Sequence, residues 1–138
     1  WYTVATRSPL IMDNTIVSIA GGIILLAGLV LLYLAFRSFN VPEFLGLERE
    51  ADVKTGATKL VRTGMYGLVR HPLYFATIVI FLGLLLLLGT FNMLMVFLVV
   101  LIYLVVGSRI EEQKLIQEFG EEYRQYRKAV KGLIPFVY

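Results

Sequence analysis

Residues 73–106 read LYFATIVIFLGLLLLLGTFNMLMVFLVVLIYLVV, with no charge anywhere in the run. As one helix, at about 1.5 Å per residue, the run would be about 50 Å long. The hydrocarbon core of a bilayer is only about 30 Å thick. The run must therefore break, and Gly89-Thr90-Phe91-Asn92 is the place where turn-forming residues gather. The stretch predicts a tight helical hairpin with arms Leu73–Leu88 and Met93–Val106. Both arms are short, so they are expected to extend into the flanking polar residues.

Toward the N-terminus, Thr15–Phe36 is a second uncharged run, long enough to span. It is too long for the apolar region of a signal peptide, and no small-residue cleavage site follows it. Ala20, Gly21, Ala27 and Gly28 recur at a seven-residue spacing. That places small residues on one face, where another helix can approach closely. Glycine and alanine are also common in such helices without that purpose. The chain begins with Trp1 rather than Met, which fits a trimmed N-terminus.

Composition points to a membrane protein. Hydrophobic residues are 58% of the chain, charged residues 17%, and mean hydropathy is +0.76. Those values exclude a disordered chain and argue against an ordinary soluble domain. A length of 138 residues leaves room for one domain, taken as 1–138. The absence of cysteine excludes disulfides, thiolate metal sites and a cysteine nucleophile. His71 is the single histidine, so a multi-histidine metal centre is excluded and no metal is expected. A net charge of +3 gives no reason to expect nucleic acid as a partner.

Charge placement sets the orientation. Six basic residues lie between Arg37 and Arg70 and six more between Arg109 and Lys131, together 12 of the 13 in the chain. A three-span arrangement puts both segments, 37–72 and 107–138, on one side, which the positive-inside rule makes cytoplasmic. Arg109–Val130 reads as a helix continuing the last span. Ile116, Phe119, Tyr123, Tyr126 and Val130 form its apolar and aromatic face. Such a helix would lie on the membrane surface or fold back on the cytoplasmic loop. Asn40–Gly64 reads as a loop with short elements.

The chemistry-bearing segment is Leu60-Val-Arg-Thr-Gly-Met-Tyr-Gly-Leu-Val-Arg-His-Pro-Leu-Tyr74. Pro72 suits the first turn of a helix, where its missing N–H costs nothing. Arg70 and His71 then sit at the interface. Arg109-Ile-Glu-Glu112 leaves the other arm of the hairpin at the same depth. Arg70, His71, Tyr74, Glu111 and Glu112 should therefore converge, and charges at that depth are costly unless paired or functional. Spacing alone equally allows Arg70 and Arg109 to snorkel to headgroups, and Glu111 and Glu112 to be solvated helix residues.

The blocks Gly64-x-Tyr66-x-x-Val69-Arg70-His71-Pro72-x-Tyr74, then Glu111-Glu112-x-x-Leu115-x-x-x-Phe119-Gly120-x-x-Tyr123-x-x-Tyr126, then Ile134-Pro135, resemble the C-terminal core of the isoprenylcysteine carboxyl methyltransferase family. That group of integral membrane methyltransferases also takes in phospholipid methyltransferases and NnrU-like proteins. The resemblance covers about Leu60 to Phe136; the first span and Asn40–Lys59 carry no assignable motif. It implies a helical membrane bundle, S-adenosylmethionine as cofactor, and methyl transfer to a lipophilic or membrane-accessible acceptor, with membrane lipid around it.

The implied cofactor-binding residues are Gly64, Tyr66, Arg70, His71, Tyr74, Glu111, Glu112 and Tyr123, and the implied catalytic residues are His71, Arg70 and Glu112. A glutamate can pair with the cofactor ammonium, Arg70 or His71 with its carboxylate or ribose. Tyr66, Tyr74, Tyr123 and Phe136 can flank the adenine. His71 or a glutamate could act as base for an amine or thiol. Two other readings stand beside this one. A membrane reductase using NADPH shares the Arg-His-Pro motif but continues it with asparagine, tyrosine and an acid, whereas Leu73 follows Pro72 here and Phe75-Ala76-Thr77 contains no acid. A non-catalytic membrane subunit would need the cluster to be structural only.

Overall fold

A computed structural model describes residues 14–38 and 64–134. Four α-helices and one 3-10 turn make up these residues: α1 Thr15–Ser38, the turn Gly64–Gly67, α2 Pro72–Leu88, α3 Phe91–Phe119 and α4 Glu121–Ala129. Among the described residues there is no strand, only an isolated parallel bridge between Val69 and Lys131. The expected Asn40–Lys59 loop, Pro135 and Phe136 lie outside the described residues.

The architecture is an all-α membrane bundle. α1 and α3 are each long and apolar enough to cross a bilayer, and α2 is a shorter apolar helix of 17 residues, at the lower limit for spanning. Ile16 is 76% exposed, Ile23 65%, Val99 66% and Tyr103 74%. In water such a surface would be an aggregation hazard; against lipid tails it is the expected outer face.

Glycine explains how α1 and α2 pair. A Cβ at Gly28 would lie 2.8 Å from Ile80 Cγ1 and 2.9 Å from the Ile80 backbone nitrogen. One at Gly83 would lie 2.7 Å from Leu25 Cα, and one at Gly21 would collide with the Leu86–Leu87 backbone. The helices therefore run antiparallel at backbone contact, where tail-like side chains give no advantage over lipid but close packing does. Gly21, Gly28 and Ala35 are the buried heptad on α1. The expected small-residue face is real, but it turns on Gly21 and Gly28; Ala27 is exposed.

The hairpin is tighter than expected. Gly89 closes α2 in the left-handed region at φ 59°, its N–H donating to the Leu85 carbonyl (2.8 Å). Thr90 caps α3 by accepting from the Met93 N–H (3.3 Å). Phe91 and Asn92 are already helical, so two residues rather than four make the turn. A left-handed glycine followed by a threonine cap satisfies both helix ends at once.

The expected single helix over 109–130 is corrected. α3 runs unbroken from the membrane to Phe119, about 43 Å in all at 1.5 Å per residue. It then stops at Gly120, whose φ of 56° and ψ of −124° suit glycine alone. Beyond this break α4 folds back over the segment that precedes α2. The Tyr126 hydroxyl donates to the Tyr66 carbonyl. Past α4, the Arg70 N–H donates to the Lys131 carbonyl (2.8 Å) and the His71 N–H to that of Gly132 (3.2 Å). Val69, Tyr123, Tyr126 and Leu133 form the small core beneath.

Candidate functional site

The end of the bundle that carries α4 gathers the site and the basic residues among those described. Pro72 opens α2 and is fully buried. His71 is the residue before it, with no side-chain cap to the helix. Its ring is turned instead toward α3, where Glu111 and Glu112 leave the bundle on successive helical positions. One residue step rotates about 100° around a helix. The two carboxylates therefore have different surroundings.

Glu112 points inward. Its side chain is 11% exposed, and Oε1 accepts from Arg70 Nε (2.9 Å), lies 2.6 Å from Arg70 Nη2, and lies 3.3 Å from His71 Nε2. Its Oε2 lies 3.4 Å from Arg127 Nε. Glu111 points outward, 48% exposed, with Oε2 3.5 Å from His71 Nδ1. Both ring nitrogens of His71 thus meet carboxylate oxygens, a setting that suits an imidazolium donating at both.

The titration shifts agree. Burial opposes charging of His71, but hydrogen bonds and charge from Glu111 and Glu112 outweigh it and raise its pKa above 6.5. Glu111 is lowered, first by its hydrogen bond to His71. Burial pushes Glu112 up, yet His71 and Arg70 together bring it below the usual carboxylate value.

Arg70 is committed on three sides. Besides Glu112, it donates through Nη1 to the carbonyls of Arg127 (2.8 Å) and Val130 (2.7 Å). Those are carbonyls at the end of α4, which otherwise lack partners. Arg70 thereby fastens α4 and the chain beyond it to the α2–α3 hairpin.

A cleft of about 370 Å³ opens beside this cluster, lined by Phe36, Tyr66, Arg70, His71, Pro72, Leu73, Tyr74 and Glu111. The Tyr74 ring stacks on His71 with centroids 5.4 Å apart and planes within 13°. A second cleft lies on the other side of Tyr74 and Glu111, lined by Tyr103, Val106, Gly107, Ile110 and Lys114.

Of the residues expected at the site, Tyr66, Arg70, His71, Tyr74 and Glu111 line the first cleft. Glu112 stands behind them. Gly64, at φ 62°, faces Ser38, whose hydroxyl would lie 2.8 Å from an added Cβ; it joins α1 to the turn. Tyr123 is 1% exposed and belongs to the core, not to the cleft wall. Burial raises its phenol pKa above the ordinary value, and its hydroxyl has no hydrogen-bond partner among the described residues. Phe36, Leu73 and Arg127 were not foreseen. For Arg127 the available signal was its position four residues after Tyr123, on the same face of the helix.

The family model for phospholipid methyltransferase matches residues 16–122. That match takes in α1, which carried no recognisable motif. Methanethiol S-methyltransferase 1 of Bradyrhizobium diazoefficiens is 36% identical over 114 residues, which cover 80% of this chain and 39% of that protein. Methanethiol S-methyltransferase of Pseudomonas deceptionensis is 31% identical over 122 residues, covering 88% of this chain and 44% of that protein. The chain spans about two-fifths of the length of these curated relatives. No solved structure matches it. With the match running from the first apolar helix through the buried glutamate into α4, the chain belongs to the phospholipid methyltransferase family of membrane methyltransferases.

Proposed function

We propose that this chain carries the cofactor site of an S-adenosylmethionine-dependent methyltransferase, with the α4 end of the bundle in the cytoplasm and a small thiol as the acceptor. The single observation that supports it most is Glu111. It is a half-exposed carboxylate in an aromatic cleft, held from behind by an imidazolium, in a chain of this family. The names of the two relatives favour a thiol over a lipid amine or a prenylated carboxylate. The clustering of Arg37, Arg70, Arg109, Lys114, Arg124, Arg127, Lys128 and Lys131 at one end supports the orientation.

The donor set suits such a cofactor. Glu111 can pair with an ammonium. Tyr66 and Phe36 offer flat apolar surface to an adenine. Arg70, named earlier as a partner for the carboxylate, is already engaged by Glu112 and two carbonyls. The N–H groups of Leu73 and Tyr74 in the first turn of α2 are the better anion partners. Bound there, S-adenosylmethionine supplies an electrophilic methyl group on a sulfonium.

The protein then needs chiefly to place the acceptor in line and keep water away. The second cleft, apolar along Tyr103, Val106 and Ile110, would admit a membrane-soluble acceptor to the Tyr74–Glu111 wall. His71, flanked by two carboxylates, is better suited to holding a proton than to taking one. In this reading it is a fixed cation, and the acceptor thiol loses its proton to solvent. Glu111→Gln should weaken S-adenosylmethionine about tenfold, the loss of one charge-assisted bond of about 1.5 kcal/mol. Unchanged affinity would count against the assignment.

A further inference from the structure

Four groups of alternating sign run from the outer face of α4 to the first cleft. Arg127 Nε lies 3.4 Å from Glu112 Oε2, Glu112 Oε1 lies 3.3 Å from His71 Nε2, and His71 Nδ1 lies 3.5 Å from Glu111 Oε2. Arg127 is half exposed, whereas Glu112 and His71 are almost entirely covered, at 11% and 3% of their side chains. The Arg127 carbonyl also receives the Arg70 guanidinium, so both ends of this residue are tied to the same cluster. Arg124, on the same helix, pairs outward with Glu121 at 3.6 Å, both side chains being more than 60% exposed.

We propose that Arg127, which lies outside the motif residues, is a positioning residue: through Glu112 and His71 it determines how the cleft carboxylate Glu111 is held. The physical basis is competition for one buried carboxylate. Glu112 divides its two oxygens between Arg127 on one side and Arg70 with His71 on the other. Without the cation on Oε2, Glu112 would attract the His71 proton more strongly, and His71 would be drawn toward Glu112 and away from Glu111. The charged or titratable groups around the His71–Glu112 pair are Arg70 from the segment of His71, Tyr74 from α2, Glu111 from α3, and Arg127 and Tyr123 from α4. Arg127 reaches the cluster from the outer face of α4. The placement of Glu111 as a cofactor partner rests on the function proposed above; the coupling of Arg127 to His71 does not.

His71 is the chain's single histidine, so its ring protons can be followed by NMR in the detergent-solubilised chain without assignment by mutation. In Arg127→Gln the His71 titration midpoint should move up, because a neighbouring positive charge is gone and Glu112 is less neutralised. Arg127→Lys should titrate closer to the wild type. Arg124→Gln should match it. The proposal is overturned if Arg127→Gln titrates as the wild type does, or if Arg124→Gln moves the midpoint equally far. Should Arg127→Gln not fold, the wild-type chain still decides the matter. The Arg127 Nε resonance must then change with the His71 midpoint, and independence of the two would sink the idea. Titration with S-adenosylmethionine adds a separate readout: affinity should fall about fivefold in Arg127→Gln, the lower end of ordinary coupling between sites, with Arg127→Lys in between. If the wild type binds no S-adenosylmethionine, the methyltransferase reading fails while the His71 titration still tests the coupling.

Discussion

Replacing Arg70 by Met should unfold the end of the bundle that carries the cleft. The substitution keeps most of the side-chain volume and removes every polar contact. Three things are lost together: the paired Nε and Nη2 contacts to Glu112 and the two bonds that hold the α4 carbonyls. Both partners of the ion pair are about one-tenth exposed, so solvent cannot readily replace what is removed. Removing one partner of a buried pair costs about 3–5 kcal/mol, chiefly because the other charge is left behind. Here His71 and Arg127 still face Glu112, which places the expectation at the lower end, about 3 kcal/mol.

The same argument predicts the partner experiment. In Arg70→Met with Glu112→Gln the stranded charge is gone, and the amide oxygen can still accept from His71. The double variant should therefore be more stable than the sum of the two single losses by at least about 1 kcal/mol. The assay is reversible unfolding of the chain in mixed micelles of mild detergent and sodium dodecyl sulfate, followed by helical circular dichroism. A loss under about 1 kcal/mol for Arg70→Met, or strict additivity in the cycle, would refute the view that this pair ties α4 to the hairpin.

Three further outcomes are expected. Gly28→Leu should separate α1 from α2, since even the first added carbon meets Ile80 at 2.8 Å; overpacking of this kind costs about 1–3 kcal/mol, read by the same unfolding assay. Tyr126→Phe should cost about 1 kcal/mol by losing its bond to the Tyr66 carbonyl, whereas Tyr123→Phe should be neutral or stabilising, because its buried hydroxyl has no partner among the described residues. Stability should be greatest in mildly acidic solution. The raised His71 pKa contributes fully below its ordinary 6.5 and is lost as pH climbs through the raised value. The lowered Glu111 and Glu112 contribute fully above their ordinary 4.5 and are lost as pH falls through the lowered values. His71→Gln should remove the part of the decline that begins just above pH 6.5.

The fold was legible because membranes impose simple rules. An uncharged run too long for one crossing had to turn, and Gly89-Thr90-Phe91-Asn92 was the best candidate for the turn. The convergence of Arg70, His71, Tyr74, Glu111 and Glu112 followed from the two hairpin ends sharing a depth. The individual roles did not follow. Glu111 and Glu112 are chemically equivalent in the sequence, and only the rotation of α3 decides that one is saturated inside and the other faces the cleft. Arg70 looks available for a ligand until the carbonyls at the end of α4 are placed beside it. The break at Gly120 was hidden because Ile116, Phe119, Tyr123, Tyr126 and Val130 keep helical spacing straight through it. Periodicity reports which residues share a face, not whether the helix reverses between them.

The most direct measurement is calorimetric titration of the detergent-purified chain with S-adenosylmethionine and S-adenosylhomocysteine, with NADPH as control, in the wild type and in Glu111→Gln. Saturable binding of the first two, weakened about tenfold by Glu111→Gln, is the predicted result. Binding of NADPH alone, or adenosyl cofactor binding that ignores Glu111, would contradict it.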